Sequence, residues 1–127
     1  MQDSHLFEYA VIRVVPRVER EEFINVGVIL YCAKQKFLQA DIVLNKEKLS
    51  VFSGTADIVA IENNLEALKR ICNGGKESGP IGQLDLASRF RWLTAMRSTV
   101  LQTSRVHPGF CKDADEKLKF LLEEQVL

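Results

Sequence analysis

The sequence has few of the residues that build metal centres and disulfide frameworks. It contains two histidines, His5 and His107, and three cysteines, which are scattered and form no Cys-x-x-Cys pair. An odd, dispersed set of cysteines argues against a disulfide scaffold and against a zinc knuckle. Without a His-x-x-x-His spacing we expect no metal site and no cofactor. Cys32 ends an apolar strand and Cys72 ends an apolar helix stripe, so both are predicted to be small core residues.

The chain also lacks long apolar runs and an excess of charge of either sign. No apolar stretch approaches the roughly 20 residues of a membrane helix. Its first residues have neither the basic start nor the apolar run of a signal peptide, so we expect a cytoplasmic protein. Seventeen basic residues balance seventeen acidic ones. A neutral chain has no overall field that draws it onto nucleic acid or an anionic membrane, which argues against both partners.

What remains is the composition of an ordinary globular domain. The 127 residues are 46% hydrophobic and 27% charged, which predicts a single domain over residues 1–127. The first third of the chain is rich in Val, Ile, Phe and Tyr, the residues that favour a pleated sheet. It predicts three consecutive strands: Leu6–Val15, Phe23–Cys32 and Lys36–Leu44.

The rest of the chain alternates helical patterns with one further extended segment. Apolar residues at helical spacing predict helices over 55–72, 83–96 and 113–126, with Asp113 and Glu116 spaced as a capping box. Residues 97–105 are predicted as a strand, and His107-Pro108-Gly109 as a turn. The order predicts a two-layer α+β fold, in which an antiparallel sheet, the three-stranded meander plus the later strand, has helices packed on one face.

One face of the predicted meander is uniformly apolar, whereas the other is mixed and carries several aromatic rings. Side chains alternate between the two faces of a strand, which assigns the rings to the mixed face. Water is a poor neighbour for so much aromatic surface, so we expect something to cover part of this face. It is a candidate docking surface for a partner protein, formed by Tyr9, Phe23, Tyr31 and Phe37.

Two polar residues and a glycine on the same mixed face form a second candidate. Arg13 and Asn25 can converge there on a ligand, and Gly27 marks a close approach of backbone or ligand. The alternative is purely structural: an ion pair between Arg13 and Glu22, an asparagine that completes backbone hydrogen bonds, and a glycine in a β-bulge. The sequence leaves both interpretations open.

The segment 97–105 is the part of the chain that burial alone does not explain, because neither of its faces is apolar. Its candidate ligand-binding residues are Arg97, Ser98, Thr99, Arg105 and the nearby His107. Arginine donors fit phosphate, hydroxyls add neutral donors, and histidine moves protons near neutral pH, which together indicate an anion or phosphate site. The alternative is a solvated edge strand whose arginines and threonines protect it from aggregation.

A shorter cluster resembles a nucleic-acid contact. Arg89 and Arg91 alternate with Phe90 and Trp92, and arginines hold phosphates while aromatic rings stack on bases. Residues two apart on a helix do not share a face, so we expect one of the two rings to lie in the core.

Three stretches together resemble a bacterial family. They are residues 9–16, residues 22–30, and the run from Phe90-Arg91-Trp92-Leu93 through Arg97-Ser98-Thr99 to Val106-His107-Pro108-Gly109. This combination is similar to the domain-of-unknown-function family DUF3037, across nearly the whole chain. That family has no assigned activity. Its genes often neighbour those of HipA-like serine kinases, which implies an accessory or regulatory partner.

Two functions from different classes follow. The first is a non-catalytic binding or regulatory module that works with a partner protein, a HipA-like kinase or a second copy of the chain. The second is a phosphate-directed enzyme, or a nucleotide or nucleic-acid binder, that uses Arg97, Ser98 and His107. The second requires Arg97 and His107 within about 10 Å, because proton transfer needs hydrogen-bond reach.

Overall fold

The computed structural model describes residues 4–16, 22–52, 57–95 and 99–127. Eleven elements follow one another along the chain. They are β1 (His5–Val14), β2 (Ile24–Cys32), β3 (Phe37–Ile42), α1 (Lys46–Phe52), α2 (Ile58–Asn73), a 3₁₀ turn (Lys76–Ser78), α3 (Gly79–Gly82), α4 (Leu86–Leu93), β4 (Leu101–Thr103), β5 (His107–Cys111) and α5 (Ala114–Gln125).

All five strands join one antiparallel sheet. The strand order is β3-β2-β1-β4. β5 pairs with the same edge of β1 as β4 does, beside the N-terminal part of β1. The N-terminal half of β1 therefore faces β5, from His5 to Tyr9, and its C-terminal half faces β4, from Ile12 to Val14. The predicted class, an α+β fold with an antiparallel sheet and helices packed on it, is confirmed.

Apolar side chains leave the sheet on both sides and form two cores. Ala10, Ile12 and Val14 of β1 pack with α1, α2 and α4; we call this side the α2 face. Phe7 of β1 packs with α5 on the opposite side, the α5 face. The closing helix α5 therefore covers the second face of the sheet, whereas the sequence predicts helices on one face only. The expectation that something covers the mixed face is met by α5.

A β-bulge in β2 decides which residues reach each core. Ile12 pairs with Gly27 and Arg13 with Asn25, so Val26 is an extra residue. Side chains of Ile24 and Val26 point to the α2 face before the bulge, but beyond it Val28 and Leu30 point to the α5 face. The uninterrupted alternation predicted for this strand is wrong for that reason. A Cβ on Gly27 would lie 2.6 Å from the Asp41 carbonyl oxygen, so the bulge requires glycine.

The helices begin where the sequence places their capping residues. The Asp57 carboxylate accepts the Ala60 N–H at 3.0 Å at the start of α2, and the Asp85 carboxylate accepts the Ser88 N–H at 2.7 Å at the start of α4. Asp113 accepts the N–H groups of the first turn of α5. These carboxylates satisfy N–H groups that have no partner inside a helix.

The extended segment near residue 100 is divided differently from its prediction. Among residues 99–105 only Leu101–Thr103 form a strand, and residues 96–98 lie outside the described part of the chain. His107-Pro108-Gly109, predicted as a turn, begins β5 instead. The Phe7 ring lies over Gly109, where an added Cβ would be 2.7 Å from a ring carbon, so the glycine makes room for a buried aromatic residue in the sheet.

Candidate functional site

Arg13 and Asn25 face each other across β1 and β2 on the α5 face, beside the C-terminal end of α5. The guanidinium carbon of Arg13 lies 3.9 Å from the centre of the Phe23 ring, and desolvation by burial lowers the pKa of Arg13. The ion pair suggested between Arg13 and Glu22 stays a prediction. Arg13 and Asn25 are brought together as predicted.

Asn25 works chiefly as a brace for α5. Its Nδ2 donates to the carbonyl of Gln125 at 3.0 Å, which satisfies a carbonyl at the helix end. Its Oδ1 and the Arg13 Nε are buried and have no hydrogen-bond partner within the described part of the chain. Because these two atoms are shielded from solvent, a ligand has no direct access to them. The arrangement agrees with the structural interpretation of Asn25.

His107 lies apart from this pair. It pairs with Tyr9 across β5 and β1, and the two rings are 5.3 Å apart, centre to centre. Arg13 follows Tyr9 by four residues on the same strand, a separation of about 13 Å at 3.3 Å per residue. Hydrogen-bond reach between Arg13 and the exposed His107 is therefore absent. Arg97 and Ser98 lie outside the described residues, so their predicted place beside His107 stays a prediction.

Three polar side chains of residues 99–104 bond to main chain. Thr99 Oγ1 donates to the Leu101 carbonyl at 2.7 Å, and Gln102 Nε2 donates to the Thr99 carbonyl at 2.7 Å. Ser104 Oγ accepts the Val11 N–H at 2.8 Å and donates to the Arg105 carbonyl at 2.9 Å. These contacts agree with the alternative of an edge strand. Of the candidates described in this segment, Arg105 and His107 have exposed side chains, and neither forms such a bond among the described residues.

The candidate docking rings do not form one surface. Tyr9 and Phe37 pack against the core under α5, and Phe23 is 45% exposed at the start of β2. Tyr31 lies on the α2 face, where its ring stacks on Phe90 at 5.5 Å. The shift introduced by the bulge explains the misplacement of Tyr31.

The cluster of arginines and aromatic residues on α4 is also divided by the fold. Phe90 is fully buried, as expected for one of the two rings, and Arg89 is only 9% exposed. Arg89 Nη1 donates to the carbonyls of Ile71 and Cys72 at 2.9 Å each. Arg91 forms an ion pair with Glu8 at 3.0 Å. Arg89 therefore caps the end of α2 and is withdrawn from any nucleic-acid contact.

An apolar groove lies next to this helix. It has a volume of about 470 Å³ and is bounded by α2, α4 and residues 99–101. Ala67 and Ile71 form its α2 side, Trp92 its α4 side and Val100 its third side. None of the nine lining residues that the structure describes is charged. The sequence gives one hint of the groove: Trp92 and Val100 are large apolar residues in polar surroundings, and they are 41% and 39% exposed.

The cysteines and acidic residues offer little chemistry in the described regions. All three thiols are buried, and burial raises the pKa of Cys72 to about 12. No group of three or more His, Cys, Asp or Glu residues in residues 4–16, 22–52, 57–95 and 99–127 is placed to hold a metal ion. Over the same residues, no helix combines the length and the apolar character needed to cross a bilayer.

These features define a small α+β protein with an antiparallel sheet between helices and an uncharged surface groove. Residues 9–126 match the model of a family described as protein of unknown function (DUF3037). The chain belongs to that family, as the sequence motifs predict. Searches of curated proteins and of solved structures find no match.

Proposed function

We propose that this chain is a bacterial, cytoplasmic, non-catalytic binding module, and that it docks an apolar segment of a partner protein in the groove between α2, α4 and residues 99–101. The observation that carries the proposal is the apolar lining of that groove, which has no charged side chain among its described residues and has the half-exposed Trp92 and Val100 at its surface. Exposed apolar surface of this kind marks interaction sites. A groove beside a helix suits an apolar stripe of a partner.

The remaining polar candidates support binding more than catalysis. The hydroxyl of Thr99 donates to main chain, and His107 lies beside Tyr9 rather than beside Arg13. A phosphate-directed enzyme would need those groups free to meet substrate. Arg97 and Ser98 lie outside the described residues. A HipA-like kinase is the first partner to test, because the family resemblance implies such a neighbour.

The single tryptophan gives a direct test, since Trp92 lines the groove. The chain is labelled with 5-fluorotryptophan, which gives one fluorine resonance, and unlabelled HipA-like kinase is added. We expect that resonance to shift and broaden on binding. Sedimentation of the labelled chain alone reports whether a second copy occupies the groove instead.

A matched pair of charge variants locates the contact. Ala67→Glu places a carboxylate in the groove, and Val59→Glu places one on the same helix outside it, at a side chain that is 68% exposed. We expect Ala67→Glu to weaken kinase binding about tenfold or more, and Val59→Glu to leave it unchanged. Kinase binding that is insensitive to Ala67→Glu contradicts the groove, and no kinase binding contradicts the named partner.

A further inference from the structure

Within the described part of the chain, β5 is an outer strand with one side of its main chain unpaired. Among the described strands it pairs with β1 alone. The N–H groups of Val11 and Val15 point towards Ser104 and Val100, so odd-numbered residues of β1 direct their main chain to this edge. His107, Gly109 and Cys111 then bond to β1, because bonded pairs alternate along an antiparallel ladder. The main chain of Pro108 and Phe110 points outwards.

Exposed apolar side chains stand beside these outward groups. Phe110 is 70% exposed and its cross-strand neighbour Leu6 is 52% exposed. The two residues share one face of the sheet because they are directly paired. An incoming strand would meet the N–H and carbonyl of Phe110, the carbonyl of Pro108, and an apolar pair next to them.

Two exposed basic residues flank this edge. Arg105 precedes β5 and Lys112 follows it, and both are exposed and form no ion pair among the described residues. The Glu8 carboxylate is neutralised by Arg91 at 3.0 Å. The Asp113 carboxylate accepts two N–H groups at the start of α5. Among the described residues, each end of β5 therefore has a basic side chain without an ion pair, and Asp113 is the acidic residue next to Lys112.

We propose that β5 accepts an extended acidic segment of another protein as an added strand, with an apolar side chain against Leu6 and Phe110 and carboxylates towards Arg105 and Lys112. Main-chain bonds supply affinity in strand addition, and side chains supply specificity. This surface is separate from the groove of the proposed function, so the two proposals are tested independently.

A second copy of the chain is a poorer occupant of the same edge. Antiparallel pairing of two β5 strands brings the Arg105 end of one against the Lys112 end of the other, so like charges meet. Pro108 has no N–H to offer, which removes one donor per copy from such a ladder. An acidic segment avoids the repulsion between like charges, and its ladder lacks one donor instead of two.

The test uses synthetic peptides and the whole protein. The probe is a fluorescein-labelled peptide. Its centre is valine-phenylalanine-valine, and glutamates stand on both sides of that centre. One comparison peptide has lysines in place of the glutamates, and another is N-methylated at the amide facing Phe110. Fluorescence anisotropy gives the affinity, and hydrogen exchange of the Phe110 amide reports strand addition.

We expect only the acidic, unmethylated peptide to bind and to slow exchange of the Phe110 amide. Phe110→Ser is expected to weaken binding about tenfold, whereas Phe120→Ser, which removes a ring that is 51% exposed on α5, leaves it unchanged. Lys112→Glu is expected to weaken binding, and Lys34→Glu, in an exposed turn, is its control. Equal binding of the lysine peptide, binding that survives N-methylation, no binding, or insensitivity to Phe110→Ser each overturns the proposal.

Discussion

The guanidinium of Arg89 donates from Nη1 to the carbonyl of Cys72 at 2.9 Å and so closes the C-terminal end of α2 from a helix 17 residues further along the chain. The same nitrogen also donates to the Ile71 carbonyl at 2.9 Å. A cation at a helix C-terminus is favourable, because the last carbonyls there carry partial negative charge and have no partner within the helix.

Replacing Arg89 should therefore destabilise the fold strongly. Arg89→Leu leaves two carbonyls at the end of α2 without their donor, and we expect a loss of about 2–4 kcal/mol in the free energy of unfolding. Urea denaturation measures the loss. Arg91→Leu is the control, since its ion pair with Glu8 is exposed and contributes about 0–1 kcal/mol. Equal losses in the two variants would show that the cap is unimportant.

Ser104 should be replaceable by Thr but not by Ala. Its Oγ accepts the N–H of Val11, a residue only 5% exposed. Ser104→Ala leaves this N–H without a partner, at a cost of about 1–2 kcal/mol, and its exchange with deuterium should accelerate. Thr99→Ala removes an exposed hydroxyl in the same segment and should have little effect. Unchanged exchange at Val11 in Ser104→Ala would refute the bond.

Gly109 should tolerate no side chain while Phe7 keeps its ring. The added Cβ would lie 2.7 Å from a carbon of that ring, and Phe7 is 3% exposed, so it has little room to move. We expect Gly109→Ala to cost about 1–3 kcal/mol. Phe7→Leu in the Gly109→Ala background should cost less than the sum of the two single changes. Additive losses would mean that the ring and the glycine are independent.

Alkaline pH should weaken the fold through Cys72. Burial raises the pKa of this thiol to about 12 from an ordinary value of 9.0. Between these values the unfolded chain loses the proton while the folded chain keeps it, so stability is full below pH 9 and falls as the pH rises. One such group contributes at most ~1.4 kcal/mol per pH unit. Urea denaturation at pH 8, 9 and 10 measures the slope.

Cys72→Ala is the comparison for that slope, because it removes the titrating group. The smaller side chain leaves a cavity, so Cys72→Ala lowers the free energy of unfolding at every pH. Between pH 9 and 10, however, the free energy of unfolding should fall less in Cys72→Ala than in the parent. In the folded parent, iodoacetamide should alkylate Cys72 only as fast as the protein opens, since the thiol stays protonated. Rapid alkylation at pH 8 would contradict its burial.

The strands and helices with regular patterns were predictable, and the exceptions have local causes. Alternating Val and Ile residues predict β1, β2 and β3, but they do not reveal the bulge, because Val26 and Val28 are both apolar and either can face a core. Pro108-Gly109 has the composition of a turn. Only the packing of Phe7, a hundred residues earlier, explains why this pair lies in a strand.

The candidate site was predictable in part. The sequence places Arg13 and Asn25 on the same face of the sheet, and the structure pairs them across β1 and β2. It does not anticipate the role of Arg89, since an arginine beside aromatic residues resembles a surface patch until its distant carbonyl partners are known. Nor does it predict the groove, whose walls come from α2, α4 and residues 99–101.

The bulge also has a consequence for how the molecule melts. Ile24 and Val26 of β2 pack in the core on the α2 face, and Val28 and Leu30 pack in the core on the α5 face. The strand therefore belongs to both cores. If α5 detached, it would expose one face of the strands whose other face packs against α2. Local unfolding on the α5 face therefore destabilises the α2 face as well. Because the extra residue of the bulge, Val26, places β2 in both cores, we expect the protein to unfold in a single cooperative transition.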